Sequence, residues 1–357
     1  MKNRVKQPMV EESAQEWPRV EMRKVKRVSA GLLLSGLLLL GCEPSPPQKA
    51  PEEVKLQLKW VHQAQFAGFY VAQEKGYYAK ENIKITFLEG GPGIDIAQRV
   101  ISGQADFGVL TPEFIFIKRS EGIPLTAIAP IYRRSAVVFV AMADSGIVRP
   151  SDFMGKTVAI GGEGGGIVDY KLQFHAMMKK LGLNVSKVKI VPWDAALGAF
   201  LQREADVTPC YSTGNLIKMR QKGLKLNLIW PSDYGIHFYS DTLVTTERLI
   251  AEKPDLVTRF LRATLRGWRD AVEDYRQAVT VTLKYAQIKD PELQTAMMEA
   301  MLPLVHTGED QIGWMKPEVW RGMYRILLEQ RLLTRPFEVD QAYTLRFLKE
   351  IYGGKAK

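Results

Sequence analysis

The stretch LQLKWVHQAQFAGFYVAQEKGYY, residues 56–78, carries the patterns of two successive elements of secondary structure. Around its start, four apolar residues alternate with polar ones: Val54, Leu56, Leu58 and Trp60. This period of two predicts a strand with one buried face. Between Phe66 and Glu74 the apolar residues recur at helical spacing, and Gly76 is a typical helix-ending residue. We therefore predict a strand, a short loop and a helix.

Residues 83–110 continue the same alternation of strands and helices. IKITFLEG (83–90) reads as a second strand, residues 94–102 as a helix, and DFGVL (106–110) as a third strand. Strands that alternate with helices predict a parallel sheet covered by helices, an α/β architecture. Ligands of such sheets bind beyond the carboxyl ends of the strands.

A second unit follows with the same order of elements. KTVAIGGEGGG (156–166) reads as a strand and a glycine loop, 167–181 as a helix, 188–193 as a strand and 195–203 as a helix. RVISGQADFGVL (99–110) and AFLQREADVTPCY (199–211) both run from a helix through a polar turn and Ala-Asp into a strand. This repeat predicts two similar lobes. The alternative is that Ala-Asp is merely a common way to begin a strand.

Beyond about residue 240 the apolar residues fall at helical spacing as far as residue 352. Four prolines interrupt this region: Pro291, Pro303, Pro317 and Pro336. We expect a helical C-terminal region that returns to cover the first lobe.

The front of the chain has the features of an export signal. A basic cluster precedes the apolar run SAGLLLSGLLLLG (29–41), which is short for a membrane span. The following Cys42 resembles the lipidated cysteine of a bacterial lipobox, and Met22 is a possible true start. A cleavable signal or a plain anchor helix is the alternative. EPSPPQKAPEE (43–53) is rich in proline and charge and is expected to be an extended tether.

Composition limits the classes of function. Of the net charge of +10, the segment before Cys42 supplies +4 (eight Lys and Arg against four Glu), which leaves +6 for the rest. This excess is spread along the chain without a basic block, so we expect no nucleic-acid partner. Cys42 and Cys210 are the two cysteines of the chain, too few for a disulfide framework.

Four segments carry a resemblance to a known family. They are the W-x-H-x-x-x-F-x-G-F-Y-x-A-x-x-x-G-Y-Y pattern of residues 60–78, SGQADFGVL (102–110), DFMGKTVAIGGEGGG (152–166) and KPDLVTRFLRATLRGWRDA (253–271). Over roughly residues 54–285 the chain resembles the substrate-binding proteins of ABC importers, in the group related to thiamine-pyrimidine-precursor binding proteins and fungal thiamine pyrimidine synthase. The resemblance implies a two-lobed periplasmic binding protein type II fold. Its cleft would close on a small molecule that is passed to a permease in the inner membrane.

Because that group includes an enzyme, the enzymatic function has to be compared with the residues present. The synthase would require a lysine for pyridoxal phosphate and a histidine that is consumed as substrate, and Leu110 and Phe114 fall at those places. Leucine cannot form a Schiff base and phenylalanine has no imidazole. The cysteine-rich segment of the synthase has no counterpart either. We predict a binding protein that is not an enzyme and uses no cofactor, catalytic residue or metal.

Candidate ligand contacts follow from the predicted strand ends. In the first lobe Trp60 could stack on a planar ring while His62 and Gln65 read its edge. Phe66 and Tyr70 begin the following helix, and Thr111 and Glu113 follow the third strand. Gly68 is expected to let the helix approach the sheet. The alternative is that aromatic residues in this helix belong to the core.

The second lobe offers a matching edge, with Trp193 after its second strand, Tyr211 after its third and Asn215 one turn further. Tyr234 and His237 are expected near the return crossing to the first lobe. In the glycine loop we expect Glu163, Gly164 and Gly165 to face the cleft. The carboxylate of Glu163 would accept a hydrogen bond from an amino group or a ring N–H and would oppose a sulfonate. The alternative is a surface capping glutamate.

These inferences predict a lipid-anchored receptor for a small planar nitrogen heterocycle, most simply a thiamine pyrimidine precursor. Riboflavin, another aromatic vitamin, a sulfonate-type solute and pyrimidine synthesis are the alternatives. The protein is expected to be a monomer at the outer face of the membrane, in the periplasm or at the cell exterior. The expected domains are the signal (1–41), the tether (42–53), the first lobe (54–145 and 239–357) and the second lobe (146–238).

Overall fold

The computed structural model describes residues 50–162, 167–308 and 310–353. Its described strands form two five-stranded sheets. In chain order they are β1 (Glu52–Gln57), β2 (Ile83–Leu88), β3 (Phe107–Leu110), β4 (Leu125–Pro130), β5 (Val137–Met142), β6 (Thr157–Gly161), β7 (Lys189–Pro192), β8 (Val207–Tyr211), β9 (Leu226–Ile229) and β10 (Thr242–Thr246).

The α-helices of the described residues in chain order are α1 (Ala67–Glu74), α2 (Tyr77–Lys80), α3 (Ile96–Ile101), α4 (Pro112–Ser120), α5 (Val168–Lys180), α6 (Gly198–Leu201), α7 (Asn215–Gln221), α8 (Glu247–Glu252), α9 (Pro254–Glu273), α10 (Tyr275–Tyr285), α11 (Pro291–Val305), α12 (Pro317–Glu329) and α13 (Arg346–Tyr352). Short 3₁₀ helices are Ala64–Phe66, Ala143–Ser145, Pro150–Phe153, Val185–Lys187, Pro231–Tyr234 and Val339–Gln341. No helix among these residues is both long and apolar enough to cross a bilayer.

The two sheets have the same design. The first has the order β2-β1-β3-β10-β4 and the second the order β7-β6-β8-β5-β9. In each, three parallel strands from one α/β unit are followed by an antiparallel strand, β10 or β5. We call the first sheet with α1–α4 and α8–α13 the first lobe, and the second sheet with α5–α7 the second lobe. The predicted two-lobed α/β architecture is confirmed.

One expected boundary differs from the structure. The sequence predicts residues 137–142 in the first lobe, but as β5 they pair with β8 and β9 of the second sheet. The reason is that β5 follows β4 in the chain but joins the second sheet, and β10 later returns to the first sheet. The order of strands and helices in the sequence does not reveal this exchange. Strand β1 also begins at Glu52, within the stretch expected to be tether.

The repeated Ala-Asp junction has the same hydrogen bonds in both lobes. The carboxylate of Asp106 accepts from the backbone N–H of Lys55 at 2.8 Å, and its own N–H donates to the Lys55 carbonyl at 3.0 Å. Asp206 does the same with Thr157, at 2.8 Å for both bonds. The two aspartates thus tie the start of β3 to β1 and the start of β8 to β6.

Helix α1 packs closely on α9 because both helices have glycine at the contact. A Cβ atom on Gly68 would lie 2.2 Å from Cδ2 of Trp268, and one on Gly267 would lie 2.3 Å from the Gly68 carbonyl oxygen. Trp268 is fully buried there, edge-on to Phe69 at 5.4 Å between ring centroids. Gly68 therefore allows α1 to approach α9, and not the sheet as the sequence suggested.

Two chain segments connect the lobes, between β4 and β5 and between β9 and β10. They are joined by backbone hydrogen bonds from Ile131 N–H to the Asp241 carbonyl (2.7 Å) and from Ser240 N–H to the Tyr132 carbonyl (3.0 Å). The backbone on either side of Tyr343 also bonds to Ala127 of β4, through Ala342 O at 2.9 Å and Thr344 N at 3.0 Å. The helical C-terminal region thus returns to the first sheet.

Candidate functional site

A cavity lies between the two lobes, at the carboxyl ends of β1, β7 and β8. The first lobe contributes residues that follow β1: Lys59, Trp60, Gln63 and Gln65. The second lobe contributes Asp169, Tyr170, Trp193, Ala195, Tyr211, Thr213, Gly214, Asn215 and Lys218. The position agrees with the rule that α/β sheets bind their ligands at this edge.

Lys59 is the centre of the charged groups at this cavity. Its Nζ lies 3.4 Å from Oδ2 of Asp169 and 3.7 Å from Oδ1 of Asp241. It also donates a short hydrogen bond to the hydroxyl of Tyr211 and lies 4.3 Å from the centroid of that ring. The side chains of Asp169 and Asp241 are 3% and 2% exposed. Two buried carboxylates therefore share one ammonium group, and this contact joins the lobes.

Tyr211 extends the network to the connection between the lobes. Its hydroxyl donates to Oδ2 of Asp169 at 3.0 Å and lies 2.7 Å from the hydroxyl of Ser240. Since the phenol has one proton, the bond to Asp169 leaves it to accept from Lys59 and Ser240. Oδ2 of Asp169 therefore accepts hydrogen bonds from both Lys59 and Tyr211.

Asp241 has one satisfied and one unsatisfied oxygen. Its Oδ2 accepts from Nε2 of Gln65 at 2.6 Å, and Gln65 in turn accepts from Gln63 at 2.8 Å. Within the described part of the chain, Oδ1 has no hydrogen-bond partner. Burial raises the pKa of Asp241, and the nearby Lys59 opposes that rise. A buried acceptor of this kind gains free energy when a donor reaches it.

Aromatic rings form much of the wall of the cavity. Tyr170 lies edge-on to Trp193 at 5.4 Å and to Tyr211 at 6.0 Å between ring centroids. Nε1 of Trp193 donates to the Pro209 carbonyl at 3.2 Å, which fixes the ring relative to β8. Trp60 stands on the opposite lobe. The arrangement suits a flat, partly apolar molecule with polar edges.

A second cavity adjoins the first and shares Lys59 and Trp60 with it. Its other walls include Ile94, Leu110, Thr111 and Phe114. The hydroxyl of Thr111 is buried without a hydrogen-bond partner among the described residues. Leu110 and Phe114 thus line the space next to the charged groups around Lys59.

Glu113 lies behind this region as a buried acid between the lobes. It is 1% exposed, and its Oε1 accepts from Nε2 of Gln173 on α5 at 3.5 Å. Burial raises the pKa of Glu113 to about 8, and the charge of Asp169 adds to the rise. Its carboxyl group is therefore largely protonated at neutral pH.

The structure brings together some of the predicted contacts. Around the main cavity lie Trp60, Gln65, Trp193, Tyr211 and Asn215, and Thr111 lines the adjoining one. The amide of Asn215 donates to the Ala195 carbonyl at 3.0 Å, which positions it. Glu113 is buried behind the cavities. Glu163, Gly164, Gly165 and Cys42 lie outside the described residues.

Five other predicted contacts are placed away from these cavities. Phe66 and Tyr70 are fully buried in the core, where Tyr70 stacks on Tyr285 at 4.3 Å. His62 bonds through Nδ1 to the Tyr70 hydroxyl at 2.8 Å. Helix α1 thus turns Tyr70 toward Tyr285 of α10, and His62 lies beside the same ring at 6.5 Å between centroids. Tyr234 lies in the 3₁₀ helix Pro231–Tyr234, and His237 is exposed.

Several cavity residues did not stand out in the sequence: Lys59, Gln63, Asp169, Tyr170, Thr213, Lys218 and the neighbouring Asp241. Lys59 had a usable signal, because it directly precedes Trp60 at the strand end that the carboxyl-edge rule selects. Asp169 lies in the first turn of α5, a place where acids are common for helix stability alone. No group of three or more His, Cys, Asp or Glu side chains in the described residues could hold a metal ion.

A comparison with protein-family models identifies the family of this chain. The family model described as NMT1/THI5 like matches residues 63–278. This chain belongs to the NMT1/THI5-like family. The matched segment contains the second lobe and most of the residues that line the cavity between the lobes.

Relatives of this NMT1/THI5-like protein include binding proteins and enzymes. It is 26% identical to the riboflavin-binding protein RibY of Chloroflexus aurantiacus over 92% of this chain and 99% of that protein. It is 24% identical to a formylaminopyrimidine-binding protein of Halalkalibacterium halodurans, over 90% and 99%. It is also 24% identical to a 4-amino-5-hydroxymethyl-2-methylpyrimidine phosphate synthase of Legionella pneumophila, over 83% and 92%.

Among solved structures, the periplasmic aliphatic sulphonate-binding protein SsuA of Escherichia coli superposes with a TM-score of 0.67 at 14% identity. The superposition covers 82% of this NMT1/THI5-like chain and 92% of SsuA. The fold is therefore that of periplasmic binding proteins, as the sequence resemblance implied.

Proposed function

We propose that this protein is a solute receptor that captures a small planar nitrogen heterocycle between its lobes, a thiamine pyrimidine precursor being the first candidate. One observation carries the proposal. The cavity combines aromatic rings from both lobes with the buried carboxylate of Asp169, and a second buried carboxylate, Asp241, lies beside it. Aromatic walls stack on a flat ring, and carboxylates accept hydrogen bonds from its N–H groups.

The mechanism we infer is closure of the lobes on the ligand. Trp60 comes from the first lobe and Trp193 and Tyr211 from the second. A ligand that contacts both sets of rings gains more free energy in the closed arrangement than in an open one, and it therefore shifts the population toward closure. The closed receptor would then be recognised by an ABC permease.

Riboflavin is the second candidate. The adjoining cavity continues from Lys59 and Trp60 toward Thr111 and Phe114, which offers room for a ligand longer than one ring. The similarity to a riboflavin-binding protein over most of both chains favours the same ligand. Both candidates are planar heterocycles with polar edges.

An enzymatic function is disfavoured by the residues beside the charged cluster. Leu110 and Phe114 line the adjoining cavity, and neither side chain can supply an amine or an imidazole. Although pyrimidine phosphate synthases are relatives, binding without chemical conversion is the function that these residues support.

The location of the receptor is part of the proposal. The basic cluster, the short apolar run and Cys42 support export and lipid anchoring at the outer face of the membrane, followed by a proline-rich tether. A labelled fatty acid that enters the wild-type protein and is absent from Cys42→Ala would support the anchor. Equal labelling of both would refute it.

Calorimetric titration tests the ligand class. The purified chain is titrated with 4-amino-5-hydroxymethyl-2-methylpyrimidine, its formylamino analogue, riboflavin and an alkanesulfonate. We expect heat of binding from at least one heterocycle and none from the sulfonate. Binding of the sulfonate alone would refute the proposal, because buried carboxylates oppose an anionic group.

A further inference from the structure

The carboxylates of the cavity have an internal counterion, and this bears on the charge of the ligand. The buried carboxylate of Asp169, which lines the cavity, and that of Asp241 beside it would by themselves attract an organic cation. Here Lys59 holds its ammonium group 3.4 Å from Asp169 and 3.7 Å from Asp241, at a side chain that is only 15% exposed. The position in which a cationic group of a ligand would bind is thus taken by a residue of the protein.

We infer that Lys59 makes this site selective for uncharged heterocycles and excludes cationic ones, an inference that rests on the proposed binding function. The numbers of positive and negative side chains in the described lining support this selectivity. Two cationic side chains, Lys59 and Lys218, stand with the carboxylates Asp169 and Asp241 at or beside the cavity. A ligand cation would add a third positive charge to this lining, where Lys59 already lies beside both carboxylates.

A neutral ligand meets no such opposition. It can donate a ring or amino N–H to the carboxylate of Asp169, which lines the cavity, while Lys59 stays paired with that carboxylate and with Tyr211. A charged ligand would have to displace Lys59 and leave its ammonium without a partner in a site of low exposure, which costs free energy. Lys59 would thus act as a specificity determinant.

The test uses two ligands of nearly the same shape: 4-amino-5-hydroxymethyl-2-methylpyrimidine and its N-methylated pyrimidinium cation. Wild-type protein is expected to bind the neutral form and to show no thermal shift with the cation. In Lys59→Met the buried carboxylates lose their partner, so we expect the ratio of cation to neutral affinity to rise by about tenfold or more. Lys59→Arg keeps the charge and should exclude the cation as the wild type does.

The double variant Lys59→Met/Asp169→Asn removes one charge of each sign and is the matched control. It should lose the preference for the cation that Lys59→Met acquires. The single variant Asp169→Asn changes the balance in the opposite direction and should gain affinity for orotate, an anionic pyrimidine. This variant also supplies the test if Lys59→Met does not fold.

The results separate the two proposals. An unchanged ratio in Lys59→Met, or unchanged orotate binding in Asp169→Asn where the first variant does not fold, would overturn the role of Lys59. Failure of every heterocycle to bind the wild-type protein would instead refute the receptor function. Glu163 lies outside the described residues, but its charge is the same in every variant, so the expected direction of each change does not depend on it.

Discussion

At the scale of single residues, Trp60 is the aromatic side chain of the first lobe that lines both cavities. If it stacks on the ligand, Trp60→Ala should weaken binding by ~1 to 3 kcal/mol, the range found for stacking of bases on aromatic side chains. Calorimetric titration with the best ligand measures the change. Trp230→Ala, at a half-buried position in the small core of the second lobe, is the control and should leave affinity unchanged. Equal affinities of wild type and Trp60→Ala would remove Trp60 from the site.

Glu113 makes a prediction about pH. Its pKa is about 8 in the folded protein, against 4.5 for an ordinary glutamate. Between these values the folded state keeps a proton that the unfolded state releases, so the stability from this group is complete below pH 4.5 and is lost as pH rises toward 8. Glu113→Gln should therefore be more stable than wild type at pH 9 by a few kcal/mol, at about 1.4 kcal/mol per pKa unit.

Urea unfolding of both proteins from pH 4 to pH 9 measures this effect. The two curves should diverge between pH 4.5 and 8 and then run parallel. Glu53→Gln, at an exposed position where Lys84 lowers the pKa of the carboxyl, should show no divergence in that window. If the two curves stayed parallel over the whole range from pH 4 to pH 9, Glu113 would be ionised in the folded protein at neutral pH.

At the scale of elements, the contact between α1 and α9 depends on two glycines. Gly68→Ala would place Cβ 2.2 Å from the ring of Trp268, in a core where neither helix can withdraw freely. Overpacking of this kind should destabilise the protein by about 1 to 3 kcal/mol. Gly322→Ala on α12 is a matched control, because a Cβ there has no neighbour within 4 Å. Alanine favours helix over glycine, so this variant should gain about 0.5 to 1 kcal/mol.

Denaturant unfolding compares the two glycine variants. Opposite signs for the same substitution would assign the effect to packing, since the helix propensity changes alike in both. A Gly68→Ala protein as stable as Gly322→Ala would contradict the close approach of the helices.

The strands and helices also show which parts of the structure could be predicted from sequence patterns. Alternation at Val54, Leu56 and Leu58 predicted β1, and the Ala-Asp repeat predicted two lobes of one design. The transfer of β5 into the second sheet left no such signal, because an apolar strand looks the same in either sheet. For the site, strand ends predicted Trp60, Trp193 and Tyr211. Asp241 could not be predicted in this way, because its role depends on contacts with Lys59 and Gln65 from distant parts of the chain.

At the scale of the whole molecule, the connection between the lobes is held by the C-terminal region. Arg133 follows β4 on this connection, and its side chain is 3% exposed. The guanidinium donates to Asp310 at 2.5 Å, to Thr307 at 2.6 Å and to the Trp314 carbonyl at 3.1 Å. Its backbone N–H donates to the Leu304 carbonyl at 2.7 Å. Movement of one lobe relative to the other must therefore pivot beside a segment that is fixed to the first lobe.

Arg133→Met tests the importance of this attachment. The substitution keeps much of the side-chain bulk but leaves the carboxylate of Asp310, 8% exposed, without its buried partner. Removal of one partner of a buried pair typically costs about 3 to 5 kcal/mol, and here Lys316 at 3.3 Å can offset part of that loss. Arg203→Met breaks a pair whose side chains are 58% and 69% exposed, and it should change stability much less than Arg133→Met because solvent screens the pair. Urea unfolding of both variants measures the difference, and equal small losses would show that the C-terminal region does not hold the connection between the lobes.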